Sequence, residues 1–247
     1  MRSHGKYHGL FVYSAPLLEG EPYVASLMSP EGEPPLLHRL QTTRDLAPIF
    51  SRLSCAGTKP LSPITIITNH IIPNNFVPCD DDELQPLIDR CMRMIHRHAS
   101  LVGALPTVLA HADLTSLNIL IDPPTGRVTG ILDWDSATYE RLGYNLHFAE
   151  HLFGYMTLTG WEDNEDREKL EQGFYETFYQ SLSSQGIEVT ETFRLAVEVS
   201  KAVGILGYYS TRMESDNRGL YEKYLVDFLK RFSWEREDDS YWYDEND

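Results

Sequence analysis

Asp113 and Asn118 precede a short apolar run, Ile119 to Ile121, and Asp133 follows a second one, Val128 to Leu132. Between the runs lie Asp122-Pro123-Pro124-Thr125-Gly126, a cluster of turn formers, so residues 119–132 are expected to form a β-hairpin. Folding that hairpin brings Asp113, Asn118 and Asp133 into one small volume, with Asp135 two residues further on. Oxygen-bearing groups collected in this way suit a hard cation. Mg²⁺ takes one or two carboxylates in near-octahedral geometry and leaves the other positions to water and phosphate. Asn118 and Asp133 fit the ligand role, and Asp135 either joins them or fixes the backbone after Asp133. Asp113 lies near the cation without having to bind it, free to accept a proton from a substrate hydroxyl. His111 shares the candidate catalytic loop, its expected part being mainly to anchor that loop by hydrogen bonds.

In kinases the same division of labour falls to a catalytic-loop Asp, a catalytic-loop Asn and a metal-binding Asp after the next strand. The run His111-x-Asp113-x-x-x-x-Asn118, followed after a strand-turn-strand by Asp133-Trp134-Asp135, resembles the catalytic segment of the aminoglycoside phosphotransferase and choline kinase-like family. The resemblance extends over about residues 9 to 235. It implies an α+β, protein-kinase-like fold with a mostly helical C-terminal lobe, ATP and Mg²⁺ as cofactors, and phosphoryl transfer to a small-molecule hydroxyl. It also implies that 9–15 and 23–28 are the last two strands of the small N-terminal lobe, the second running into a hinge where backbone groups near Ser26, Leu27 and Met28 face a nucleotide base. The family normally carries three strands and a helix before this point, with a phosphate-covering loop and a Lys–Glu ion pair. Only eight residues precede Gly9, Lys6 is the lysine among them, and no G-x-G-x-x-G occurs. The expectation is therefore an N-terminally truncated member: a residual hairpin and hinge over 1–30, a C-terminal lobe over 31–235, and an acidic tail over 236–247.

Two other classes of function fit the same residues. One is a kinase-fold enzyme turned to acid–base chemistry without ATP, such as a rearrangement, elimination or cyclisation of a natural product. The other is a catalytically silent binding protein. Intact Asp113, Asn118 and Asp133 argue against silence, whereas the missing Lys and glycine-rich loop argue against ordinary kinase turnover. An oligomer or a partner chain covering the cleft is one way to complete such a site.

The elements that must position these residues are legible in outline. Helical spacing of Leu40, Leu46, Ile49, Phe50 and Leu53 predicts a helix over 38–53, capped by Thr42 or Thr43. Asp80-Asp81-Asp82-Glu83 opens another to about Leu101, with Leu84, Leu87, Ile88, Cys91, Met94 and Ile95 on its buried face and Pro86 in its first turn. Residues 54–80, rich in proline, read as loops. Further helices are expected over about 164–184, 190–210 and 219–232, and the resemblance implies one more over about 144–154. His147 and His151, four apart, share a helix face as zinc ligands can, but no third ligand has matching spacing, and packing is the simpler role. The pair His96 and His98 diverges on a helix.

Composition narrows the partners. The formal charge of −16 opposes contact with nucleic-acid phosphates or anionic lipid, so the expected partner is a neutral or cationic small molecule. No apolar run reaches the ~18 residues of a membrane span, which predicts a cytoplasmic protein. Cys55, Cys79 and Cys91 form no C-x-x-C pattern and read as free thiols. The run Glu162-Asp163-Asn164-Glu165-Asp166 reads as a solvated face or an attraction for amines.

Overall fold

The computed structural model describes residues 2–7, 10–14, 17–29, 32–52, 83–213 and 216–232. The expected loops over 54–80, Cys55, Cys79 and the acidic tail lie outside the described residues.

Strands β1 (Arg2–Tyr7) and β2 (Leu10–Ser14) form an antiparallel hairpin. This corrects the N-terminal expectation: β2 matches the first predicted strand, but its partner precedes it. The second predicted strand is instead a short helix, α1 (Tyr23–Leu27), preceded by the two-residue strand β3 (Glu21–Pro22). Pro22 explains the change, because it has no N–H to continue a ladder and its φ of −57° turns the chain. Tyr23 is then driven into the core, where it is 1% exposed.

Helix α2 (Leu36–Phe50) starts after Pro35, two residues before the predicted start. Thr42 and Thr43 do not cap it; they are buried inside it, and their hydroxyls donate back to the carbonyls of His38 and Arg39. Helix α3 (Leu84–Ala104) places Pro86 in its first turn and buries Leu84, Ile88, Cys91, Met94 and Ile95, the face the spacing predicts.

Four strands then frame the candidate site. β4 (Thr107–Ala110) pairs antiparallel with β7 (Thr138–Arg141), and β5 (Ile119–Asp122) pairs with β6 (Arg127–Ile131) and, on its other edge, with β3. The hairpin of β5 and β6 is the one expected over 119–132. Its turn needs Gly126: φ is +69°, and a Cβ there would collide with the carbonyl of His38 on α2.

Residues Tyr144–Leu152 form a 3₁₀ segment where an α-helix was expected. An unforeseen hairpin follows, β8 (Gly154–Thr157) and β9 (Gly160–Asp163). Helices α4 (Arg167–Ser184), α5 (Glu191–Ser210) and α6 (Arg218–Leu229) complete the lobe close to their predicted bounds. The core runs through these helices, with Phe174 meeting Phe50 and Phe153 edge-on at 5.4 and 5.8 Å. Among the described residues no helix is long and apolar enough to cross a membrane.

Helix α5 and the 3₁₀ segment touch so closely at Gly204 that a Cβ there would collide with the carbonyl oxygen of Tyr144. Gly204→Ala is therefore expected to lower stability by about 1–3 kcal/mol through overpacking. Gly219→Ala on α6, where a Cβ meets nothing within 4 Å, should be neutral or slightly stabilising. Chemical denaturation of the two variants checks the contrast; equal effects would contradict it.

Candidate functional site

Two ladders, β4–β7 and β5–β6, are joined twice by the chain. Residues 111–118 run from β4 to β5, and residues 132–137 run from β6 to β7. Since β4 pairs with β7 and β5 with β6, both crossings lie at the same end and run side by side. The topology thus brings Asp113 and Asn118 to Asp133 and Asp135.

His111 stitches the crossings together. It is 1% exposed. Its Nδ1 accepts from the backbone N–H of Asp113 at 3.1 Å, and its Nε2 lies 2.8 Å from the carbonyl of Leu132. A nitrogen that accepts an N–H is unprotonated, so the hydrogen sits on Nε2 and is donated to Leu132. His111 thereby bonds to the backbone of Asp113 and to the backbone just before Asp133. Trp134 packs edge-on against its ring at 4.9 Å, and the indole N–H of Trp134 donates to the carbonyl of Ile131.

The loop is closed by short local bonds. The N–H of Thr115 and the side-chain amide of Asn118 both donate to the carbonyl of Asp113, at 2.9 and 2.8 Å. With its Nδ2 engaged in this way, Asn118 has its Oδ1 as the group left to offer a cation. The N–H of Leu132 donates to the carbonyl of Asn118 at 2.8 Å, a second stitch between the crossings.

Asp133 has φ of +59°, the one positive value at a non-glycine residue among those described. Asp tolerates this left-handed conformation better than most side chains, and such local strain gathers at functional turns. The carboxyls of Asp133 and Asp135 share a hydrogen bond, which, with the repulsion between them, holds Asp133 above the usual carboxylate range. Asp113, Asp133 and Asp135 are all solvent-exposed. Among the described residues no group of three His, Cys, Asp or Glu side chains closes on a metal position. Mg²⁺ does not require one, since two carboxylates and an amide oxygen leave room for water and phosphate.

The loop also borders a cavity of about 650 Å³. Its walls include Leu27 of α1 and Met28 just after it, Thr115 to Leu117 of the loop, His151 and Leu152 of the 3₁₀ segment, and Gly154 to Met156 of β8. Ser26, grouped with Leu27 and Met28 in the sequence reading, is not among these wall residues. The extended hinge that would present their backbone groups is helical: Met28 N–H donates to Val24, and Ser29 N–H to Ser26. What Leu27 and Met28 offer is side chains.

Burial lowers His151 to about 4, the charges of Glu150 and Asp113 only partly opposing it, so the ring is neutral near pH 7. Burial likewise lowers His147 to about 3. The two do not share a face, because a 3₁₀ segment has a period of three rather than 3.6. His147 lies against Phe148 and Tyr208, and His151 against Trp161. Packing is their role. Asn145 is also buried.

Behind the cavity wall, Glu150 is fully enclosed. Burial alone would raise its pKa, but Lys201 and Arg167 hold it at about 2. Arg167 reaches its Oε2 at 2.8 Å and Arg231 at 3.4 Å. The acidic run 162–166 is no simple solvated face. Asp163 pairs with Arg167 and Arg231, Asp166 with Arg39 and Lys169, and Asn164 is buried.

Residues 71–180 match the profile of the phosphotransferase enzyme family. The fold is protein-kinase-like, of the aminoglycoside phosphotransferase type. The solved structure of a Ralstonia eutropha JMP134 protein classed with the aminoglycoside phosphotransferases aligns with TM-score 0.51 and 15% identity, over 89% of this chain and 72% of that one. A macrolide 2′-phosphotransferase type I aligns at 0.47 and 15% identity, over 74% of this chain. The aminoglycoside phosphotransferase APH(3″)-Id from Streptomyces rimosus, solved with ADP and streptomycin, aligns at 0.42 and 18% identity, over 75% of this chain and 67% of that one. The chain spans 57% of the macrolide enzyme's length. No curated protein matches it.

Next to the site, Glu140 on β7 is 7% exposed, and burial pushes its carboxyl up to about 7, the Thr138 hydroxyl only partly opposing the rise. The folded chain keeps this proton where the unfolded chain has lost it, so Glu140 should make stability fall as pH rises from about 4.5 to about 7. Glu140→Gln is expected to remove that slope and to exceed the parent by about 1–2 kcal/mol above pH 7, solvent contact trimming the full linkage value. Denaturation midpoints at pH 5 and pH 7.5 check it; a parallel pH profile in the two proteins would refute the assignment.

Proposed function

We propose that the chain transfers the γ-phosphoryl group of ATP, with Mg²⁺, to a hydroxyl of a small molecule. One observation carries the reading: the two crossings are stitched by His111, Leu132 and Asn118 so that an exposed carboxylate, Asp113, stands beside an all-oxygen set, Asn118, Asp133 and Asp135. The match of residues 71–180 to the phosphotransferase family supports it.

The donor set fits the cation. Asn118 presents an amide oxygen and Asp133 a carboxylate whose raised pKa reflects the nearness of Asp135. A divalent ion would relieve that repulsion. When bound, Mg²⁺ supplies charge neutralisation on the phosphate oxygens. Asp113 accepts the proton of the acceptor hydroxyl as the new O–P bond forms and the bond to the leaving ADP oxygen breaks. His111 keeps Asp113 in place and does not itself exchange a proton with substrate, both ring nitrogens being engaged with the backbone.

Calorimetric titration with Mg-ATP tests the reading, and absence of binding at millimolar nucleotide would sink it. Given binding, Asp113→Asn should cut turnover by about 10²–10⁴-fold while nucleotide affinity changes by less than about threefold. Asp133→Ala should instead weaken Mg-dependent binding by about tenfold or more. Equal losses in both quantities from both variants would contradict the division of roles. Loss of some other conversion in Asp113→Asn, without nucleotide binding, would mark the acid–base alternative.

A further inference from the structure

The cavity of about 650 Å³ beside the loop is large enough for a drug-sized molecule, and its chemistry identifies the kind. Val24, Leu27, Met28, Leu117, Leu152 and Met156 give it hydrocarbon and thioether walls. Its described polar side chains are uncharged except for Glu33, and Glu33, Asn164 and Tyr155 are already hydrogen-bonded to other side chains. Glu33, the one charged side chain among the described lining residues, is tied to Arg39 at 2.8 Å and accepts from Asn164 at 3.1 Å. The Tyr155 hydroxyl donates to Glu162. A polycation entering here would lose its hydration and, among the described lining residues, meet no carboxylate but the already paired Glu33, so its desolvation would go largely uncompensated. A nucleotide triphosphate would find no cationic side chain among those walls.

The cavity also lies within reach of the chemistry. Thr115, Ser116 and Leu117 belong to the same loop as Asp113, and His151 on the opposite wall lies in the field of the Asp113 carboxylate.

We infer that this cavity holds a neutral, largely apolar alcohol and that this molecule is the acceptor. The term acceptor rests on the phosphotransferase reading, whereas the neutral, apolar character of the occupant rests on the cavity alone. Of its walls, Leu117 and Met28 are 63% and 79% exposed, Met156 is half-buried and Leu152 is buried.

Nile red, a neutral apolar dye whose emission rises on leaving water, is the probe. Titrated in ~0.15 M salt, which screens surface charge, the dye should bind saturably at one equivalent. Met156→Lys should weaken binding by about tenfold or more, because a charge replaces half-buried apolar contact. Met28→Lys, at an exposed position where folding is not in question, should weaken it several-fold. Leu158→Lys, on the β8–β9 turn, 90% exposed and outside the walls, should leave it unchanged. Neither kanamycin, a polycation, nor Mg-ATP should displace the dye. Equal binding by all three variants, displacement by kanamycin, or displacement by Mg-ATP would each overturn the assignment, the last giving the cavity to the nucleotide. Dye binding that meets every expectation while Mg-ATP fails to bind in calorimetry would remove the phosphotransferase reading and the word acceptor, and leave the apolar ligand site standing.

Discussion

The candidate site depends on one imidazole whose two nitrogens serve two different stretches of chain. Nδ1 of His111 accepts from the Asp113 N–H and Nε2 donates to the Leu132 carbonyl. No other side chain reproduces this at the same size: an amide could offer a donor and an acceptor, but from one end of a flexible stem rather than opposite sides of a rigid ring. The arrangement requires the singly protonated ring, since an imidazolium has no lone pair for the Asp113 N–H. Burial to 1% exposure, with the Trp134 indole covering one side, excludes the water that would compete for both bonds. The exposed acids thus have an ordered base beneath them. Their flexibility is limited by a buried contact, although they themselves face solvent.

A second buried contact holds the opposite wall. The 3₁₀ segment supplies His151 and Leu152 to the cavity, and Glu150 between its neighbours points to the helical bundle. There it meets Arg167 of α4, Lys201 of α5 and Arg231 beyond α6. A buried carboxylate with one cation is a doubtful source of stability, because desolvation offsets the attraction. With three cations from three parts of the chain, the main effect is to specify one arrangement. The segment cannot slide along the bundle without leaving charges unpaired. The cavity is therefore clamped between a loop fixed by His111 and a segment fixed by Glu150.

What could be read from the residues follows from how local each signal is. The hairpin over 119–132 is encoded within fourteen residues by two apolar runs and the Asp122-to-Gly126 turn, and it forms. The face of α3 was legible from spacing alone. Tyr23–Leu27 was not: five residues, apolar but for Ser26, carry no period that separates strand from helix. The outcome was decided by Pro22 and by the core space that receives Tyr23. The β8–β9 hairpin did leave a signal, the β-forming Tyr155-Met156-Thr157 ahead of Gly160 and Trp161, yet the aromatic residues of 144–154 blend into it. The cavity as a whole could not be read, because its walls, from Leu27 and Met28 to Met156, come from segments separated by more than a hundred residues.

The acidic surface and the apolar cavity point toward different ligands, and distance decides between them. A net charge of −16 produces a field that attracts cations to the molecule as a whole. That field is screened over about 8–10 Å of salt solution, so it governs approach. Inside the cavity the balance is local. Removing a cation from water there is costly, and the repayment would have to come from a carboxylate in contact. Glu33 is already committed to Arg39 and Asn164, and much of the acidity of the 162–166 run is committed to Arg39, Arg167, Lys169 and Arg231. The same ion pairs that build this side of the fold therefore leave little negative charge for a ligand, and what remains at short range is the hydrocarbon of α1, the loop and β8.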